Sequence, residues 1–226
     1  GLFGLTASGI LVPMTRPFED PASALGPHHG LLVSVRGLAP TLVSYAFFGA
    51  GYIVYMTFIV VYLAHQGVGA VGIAGFWTVL GMSAAASGWA WRGVLGHCRK
   101  GRGVALANTG VLGGVLAALS SHQALAVLIS AVLFGGSFLA VVTAVTAVAR
   151  RNLDAHHWTG GVGALTAAFG VGQTLGPFLA AGTLRASHGI HRGLLFAALL
   201  LGLSVSSALL QRDAGVPSTG SATRPR

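Results

Sequence analysis

From Gly37 to Trp91 the chain runs 55 residues without one Asp, Glu, Lys or Arg. Three more such runs follow: 47 residues over Gly103–Ala149, 30 over Ala155–Leu184 and 19 over Gly193–Gln211. A soluble domain carries about 25% charged residues because its surface must meet water. Here the share is 8%, against 54% hydrophobic residues and a mean hydropathy of +0.77. Such a chain cannot clothe a water-facing surface, which places it among membrane proteins. A helix crosses the hydrocarbon in about 20 residues. The first two runs are too long for one crossing and too short for three. Each has a polar break near its middle, "AHQGVG" at 64–69 and "SSHQ" at 120–123. The expected fold class is an all-α membrane protein, a six-transmembrane-helix bundle over residues 37–211, with spans near 40–63, 70–91, 103–120, 124–148, 160–184 and 193–211.

Charge gives an independent test of that count. If the segment before Pro40 is cytoplasmic, the inner pieces hold 11 of the 13 Lys and Arg residues, and the outer pieces only Arg185 and Arg192. Basic side chains resist translocation, so this bias is the one expected of correctly counted spans, and moving the count by one destroys it. Loops 92–102 and 150–154 and the C-terminus are then cytoplasmic. The net charge of +9 therefore reads as an orientation signal. Nucleic-acid binding, which needs a folded basic face in polar surroundings, is not expected. Residues 1–14 read as the end of a truncated transmembrane helix, 15–36 as a cytoplasmic loop holding Glu19 and Asp20, and 212–226 as a disordered cytoplasmic tail.

Within the spans, four tyrosines stand out on the first helix: Tyr45, Tyr52, Tyr55 and Tyr62. At the helical period they share one stripe about 100° wide. Tyr52 and Tyr55 fall near mid-span, where an unpaired hydroxyl against lipid is costly, so the stripe faces protein or a wet cavity. Ser130 and Ser137, with Phe134 and Phe138 near them, repeat on the fourth span at seven-residue spacing, as do Thr166 and Gln173 on the fifth. Tyr52, Tyr55, Ser137, Thr166 and Gln173 are the candidate substrate-binding residues, each with a plain packing role as its alternative. They describe a neutral, aromatic surface suited to small, partly apolar organic solutes. In "GVGQTLGPFLAAG" (170–182) Pro177 removes a backbone donor one turn from Gln173, and Gly172 and Gly176 have small-xxx-small spacing. The expectation is a pliable helix or a close-packed kink. Arg99, Lys100 and Arg102 crowd the turn "GVLGHCRKGRG", either as a topology determinant or as an inner gate.

That turn resembles a degenerate copy of the Gly-rich basic loop motif of the major facilitator superfamily, with His97 where the motif has an acid. "GQTLGPFLAAG" resembles the glycine-proline motif of the fifth helix of a half. "FFGAGYIVYMTFIVVYL", "LFGGSFLAVVTAVTAVARR" and "AAFGVGQTLGP" are together similar to its YbfB/YjiJ-like branch. The resemblance implies the second half of a twelve-helix transporter, built as an inverted pair of three-helix repeats meeting near Ser121. The first, second, fourth and fifth spans would line the cavity, and the third and sixth would face lipid. It implies a permease working by alternating access, with Arg99, Lys100, Arg102, Gly172, Gly176 and Pro177 in gating or helix flexibility. The implied partners are the lipid bilayer, a small-molecule substrate, and an N-terminal six-helix half or a second copy. The expected location is a bacterial inner (plasma) membrane.

No charged residue lies inside a predicted span, and His65, His122, His188 and His191 fall near outer ends. A titrating group for proton coupling is therefore expected elsewhere. Enzymatic chemistry is not expected. An intramembrane serine protease would need a histidine at the depth of Ser87, and the histidines lie in loops or at outer ends. A non-transporting membrane scaffold or a homodimerising half is the alternative to transport. No cofactor or metal is expected, since "DAHHW" at 154–158 makes a poor zinc site. The orientation has a built-in reporter, because Cys98, the single cysteine, sits in the basic turn. A membrane-impermeant maleimide should label Cys98 in inside-out vesicles and leave it unlabelled in intact cells; the reverse pattern would invert the topology.

Overall fold

The computed structural model describes residues 36–121, 123–184 and 189–212. The readings made for residues 1–14, for nearly all of 15–36 and for the tail beyond Arg212 lie outside these, as do His122 and His188. The described chain forms α1 (Ala39–His65), α2 (Ala70–Ala90), a short α3 (Arg92–His97), α4 (Arg102–Ser120), α5 (Ala124–Asn152), α6 (Trp158–Leu184) and α7 (Gly189–Leu209). A single 3-10 turn, Ala155–His157, precedes α6. All except α3 are long and apolar enough to span a bilayer, and no strand occurs among the described residues.

The six expected spans are all present, and their ends have local causes. Gly67, with φ at +81°, turns the chain out of α1, and Gly69 opens α2 in an extended conformation. Ser121, also extended, stops α4. The basic turn is more ordered than a loop, because α3 occupies its first half. α5 runs on to Asn152, which puts Arg150 and Arg151 in its last turn. Cations are favoured there by the negative end of the helix dipole. Pro177 lies inside α6 without interrupting it, so the expected loosening near Gln173 is absent from this conformation. Pro40 occupies the first turn of α1, where a missing N–H costs nothing.

Helices pair in a pattern that relates the two halves of the bundle. α1 packs on α6 and α7, α5 packs on α2 and α4, and α4 packs on α7. Exchanging α1, α2 and α4 for α5, α6 and α7 reproduces the same set of pairs. Directions agree too: α1 runs parallel to α6 as α5 does to α2, while α1–α7 and α5–α4 are antiparallel. This is the arrangement of two inverted three-helix repeats joined near Ser121.

Glycine sets the closeness of these contacts. A Cβ at Gly172 would overlap the Ala46 carbonyl, and one at Gly176 would lie 2.7 Å from the Ala50 carbonyl oxygen, so α6 rides on α1 at backbone distance. Gly135 meets the Leu80 carbonyl across the α5–α2 pair in the same way. Polar clips add direction. Ser44 and Ser204 each donate to the other's backbone carbonyl, at 2.8 and 2.7 Å, tying α1 to α7. Leu38 cannot cap α1, and Gln211 does so from the far end: its Oε1 accepts from Thr41 Oγ1 at 2.8 Å and Thr41 N at 3.3 Å, while its Nε2 donates to the Gly37 carbonyl at 2.9 Å. Several threonines are satisfied within their own helices, as Thr78, Thr143 and Thr174 show by donating to the carbonyl four residues back.

Gly163, on the same helix as Gly172, has open space where a Cβ would project. Replacing Gly172 with Val should therefore cost about 1–3 kcal/mol through overpacking, and Gly163→Val should stay within about 0.5 kcal/mol. Thermal melts of the detergent-solubilised variants check the difference.

Candidate functional site

The side chains at the centre of the bundle come from α1, α5 and α6 and are mostly aromatic. Tyr52 stacks on Phe138 at 4.8 Å between ring centroids and lies 6.2 Å from Phe134, while Phe48 sits 5.8 Å from Phe138. Phe169 of α6 closes the group, 4.9 Å from Tyr45 and 6.1 Å from Tyr52. Offset stacking of this kind contributes about 0.5–1.5 kcal/mol per pair beyond area burial.

The cluster lies where the two repeats cross. "FGAGY" at 48–52 on α1 and "FGGSF" at 134–138 on α5 share Phe, Gly and an aromatic at the same spacing, 86 residues apart. Exchanging the two pentapeptides turns the Phe48–Phe138 contact into the Phe134–Tyr52 contact, and both are present, at 5.8 and 6.2 Å. The pseudo-two-fold relation therefore passes through these rings. The exchange fails at the edge of the cluster: Gly49 approaches Phe169, whereas its counterpart Gly135 approaches Leu80. One flank is aromatic and the other aliphatic. This repeat was legible in the chain as a phenylalanine-glycine pair followed three residues later by a ring, and span counting passed over it.

The candidates picked by spacing separate into three groups. Tyr52 is half-buried in the cluster, and Gln173 is half-buried one turn beyond Phe169, its amide making no hydrogen bond among the described residues. Tyr55, a candidate for a solute-facing hydroxyl, is fully buried, stacks on Phe134 at 4.2 Å and shares a 2.6 Å hydrogen bond with Ser130. Ser137 is likewise placed away from the rings, buried against Gly110 in the α4–α5 seam. Thr166 is exposed and donates to the Val162 carbonyl at 2.9 Å. Gly172 and Gly176 carry the α1 contact, and Pro177 is partly buried beside them.

At the end of the bundle that the charge bias assigns to the cytoplasm, Arg99, Lys100 and Arg102 are exposed. The turn is held from α5, where Arg151 donates to the carbonyls of Cys98 and Lys100 at 3.1 and 3.4 Å. Lys100 adopts φ of 57°, an uncommon left-handed backbone for a residue other than glycine. Ser87 is buried on α2 with its hydroxyl unpartnered, and Asn108 on α4 is fully buried with neither amide atom hydrogen-bonded. Spacing arguments missed Asn108 because a single neutral amide barely lowers the hydropathy of its span. His65 and His191 are exposed near the opposite end, with the His191 ring 6.3 Å from that of Tyr62.

The Tyr55–Ser130 bond predicts a measurable coupling between α1 and α5. A double-mutant cycle of Tyr55→Phe and Ser130→Ala, read by unfolding in mixed micelles, should give about 1 kcal/mol. Additive effects would mean that the two hydroxyls do not depend on each other.

A family model described as "Uncharacterised MFS-type transporter YbfB" matches residues 3–209. No curated protein and no solved structure matches the chain.

Proposed function

Since the chain belongs to the YbfB-type family of major facilitator superfamily transporters, we propose that it moves a small, partly apolar organic solute across the membrane by alternating access. The observation that carries this reading is the aromatic cluster on the repeat axis, with the open Tyr52 hydroxyl and the unspent Gln173 amide beside it. Transporters built from inverted repeats bind their solutes near the midplane, at the repeat interface. Rings offer flat apolar contact there, and two neutral hydrogen-bonding groups set orientation without the cost of a buried charge.

Two further observations support movement and a partner. Tyr62, Ser87 and Asn108 bury polar atoms without hydrogen-bond partners, each at a cost of about 1–3 kcal/mol. A second packing arrangement that satisfies them lowers the energy gap between states. The spans also differ in burial, α2 and α6 being the least buried of the six. α7 presents Leu195, Leu199 and Leu203, as a lipid-facing helix does. α2 and α6 expose large apolar residues too, among them Met82, Trp89, Leu175 and Phe178, and interleave them with small ones, Gly75, Gly81, Ala85 and Gly88 on α2 and Gly163, Ala167 and Gly182 on α6. Small residues give way to another helix at close range more readily than they exclude lipid. We read these two faces as the seat of a second six-helix unit, an N-terminal half or another copy of this chain. The basic turn Arg99–Arg102 then works at the cytoplasmic rim, in a bacterial inner membrane, and Gly172, Gly176 and Pro177 belong to the pair that tilts. Thr166 remains a proposed contact only on the α6 face that such a unit would cover.

In the assembled carrier, Tyr52→Phe and Gln173→Leu should each reduce transport about tenfold, the loss of roughly one good hydrogen bond. Helix content and thermal stability should stay unchanged. Flux in proteoliposomes checks this, and wild-type kinetics for both variants would remove the cluster from the pathway.

A further inference from the structure

Where α5 turns into α6 there is a cavity of about 340 Å³, lined by Thr146, Ala149, Arg150, Trp158, Thr159 and Val162. It lies apart from the aromatic cluster, near the basic turn. Three features make it more than a gap between helix ends. The Trp158 indole is fixed, since its Nε1 donates to the Leu153 carbonyl at 2.9 Å. The Arg150 guanidinium lies over that indole, 5.2 Å from the ring centroid. Among the described residues Arg150 has no carboxylate partner and no hydrogen bond, so its forked donors are unspent. Its neighbour Arg151 differs, being committed to the carbonyls of Cys98 and Lys100.

A guanidinium parked on an aromatic face is pre-ordered and only weakly hydrated, and its fork matches a carboxylate or a phosphate. Ala149 and Val162 supply an apolar wall next to it, and Thr146 and Thr159 complete the lining. Arg150 is the cation that lines this cavity, and a lone oxyanion in water has little reason to leave it for a half-apolar recess. An oxyanion attached to hydrocarbon gains on both counts.

We propose that the α5–α6 turn is a binding site for an oxyanion borne on an apolar body, with Arg150 taking the carboxylate or phosphate and Ala149, Val162 and Trp158 taking the attached hydrocarbon. Two molecules share that chemistry, an amphipathic organic acid and an anionic phospholipid headgroup with the start of its chain. The site stands on its own geometry and does not require the transport reading.

The test uses the full chain, delipidated in a neutral detergent. Phenylacetate and dioctanoyl-phosphatidylglycerol are the two probes, with phenylethanol and dioctanoyl-phosphatidylcholine as their controls. Binding is read by the shift in melting temperature and by tryptophan fluorescence. At least one anionic probe should raise the melting temperature saturably where its control does not. Response to phenylacetate alone assigns the site to a soluble acid, response to the phosphatidylglycerol alone assigns it to a lipid, and both responding means that the oxyanion itself is the determinant. Arg150→Gln should weaken binding about tenfold or more, and Arg151→Gln should leave it unchanged. Should Arg150→Gln misfold, Val162→Trp fills the cavity while keeping the cation, and should also abolish the response. No response from either anion, or equal binding by the Arg150→Gln or the Val162→Trp protein, overturns the proposal.

Discussion

Helices surrounded by hydrocarbon gain nothing from hiding apolar side chains from water, since lipid tails are as apolar as leucine. What remains is contact between backbones close enough for dispersion, together with hydrogen bonds that cannot be traded for water. The whole bundle follows from that restriction. Gly172 and Gly176 let α6 lie on α1, Gly135 does the same for α5 on α2, and Gly114 brings α4 to the backbone of Phe134. Every one of these sites falls on a pair that the repeat exchange maps onto another. Close approach and internal symmetry are therefore the same fact seen at two scales.

The polar bonds inside this bundle act as register marks. Ser44 with Ser204 allows α1 and α7 one longitudinal setting, because reciprocal donation to the two backbones works only when the hydroxyls are level. Tyr55 with Ser130 does this for α1 and α5. The rings then meet at the crossing in a fixed order. Phe169 on one flank against Leu80 on the other makes the centre chemically lopsided in spite of the symmetric backbone.

The number of spans and their order were open to reading in the chain, because charge is costly in lipid and its absence over 55 residues leaves few alternatives. The details of the site were much less so. Ser137 and Phe138 are adjacent in the chain yet about 100° apart around α5, which sends one into the α4 seam and the other to the rings. Nothing in a single helix's pattern says which neighbour claims which side. Tyr55 looked as open as Tyr52 until Ser130, 75 residues away, took its hydroxyl. Pro177 promised a break and sits in an unbroken helix, since the glycines before it already hold α6 against α1. Arg150 and Arg151 read as one topology signal and turn out to point at different tasks, one at a carbonyl pair and one at an indole.

Gln211 joins the last turn of the bundle to the first turn of α1, and it does so with its side chain 2% exposed. The start of α1 is thus latched to the end of α7 by a residue that stands outside any regular helix. A polypeptide trimmed back to Leu210 would leave the Thr41 amide and the Gly37 carbonyl without this partner, while one ending after Arg212 would keep the latch intact. Purification handles and fluorescent reporters belong on that side of the latch, where they can hang without unfastening it.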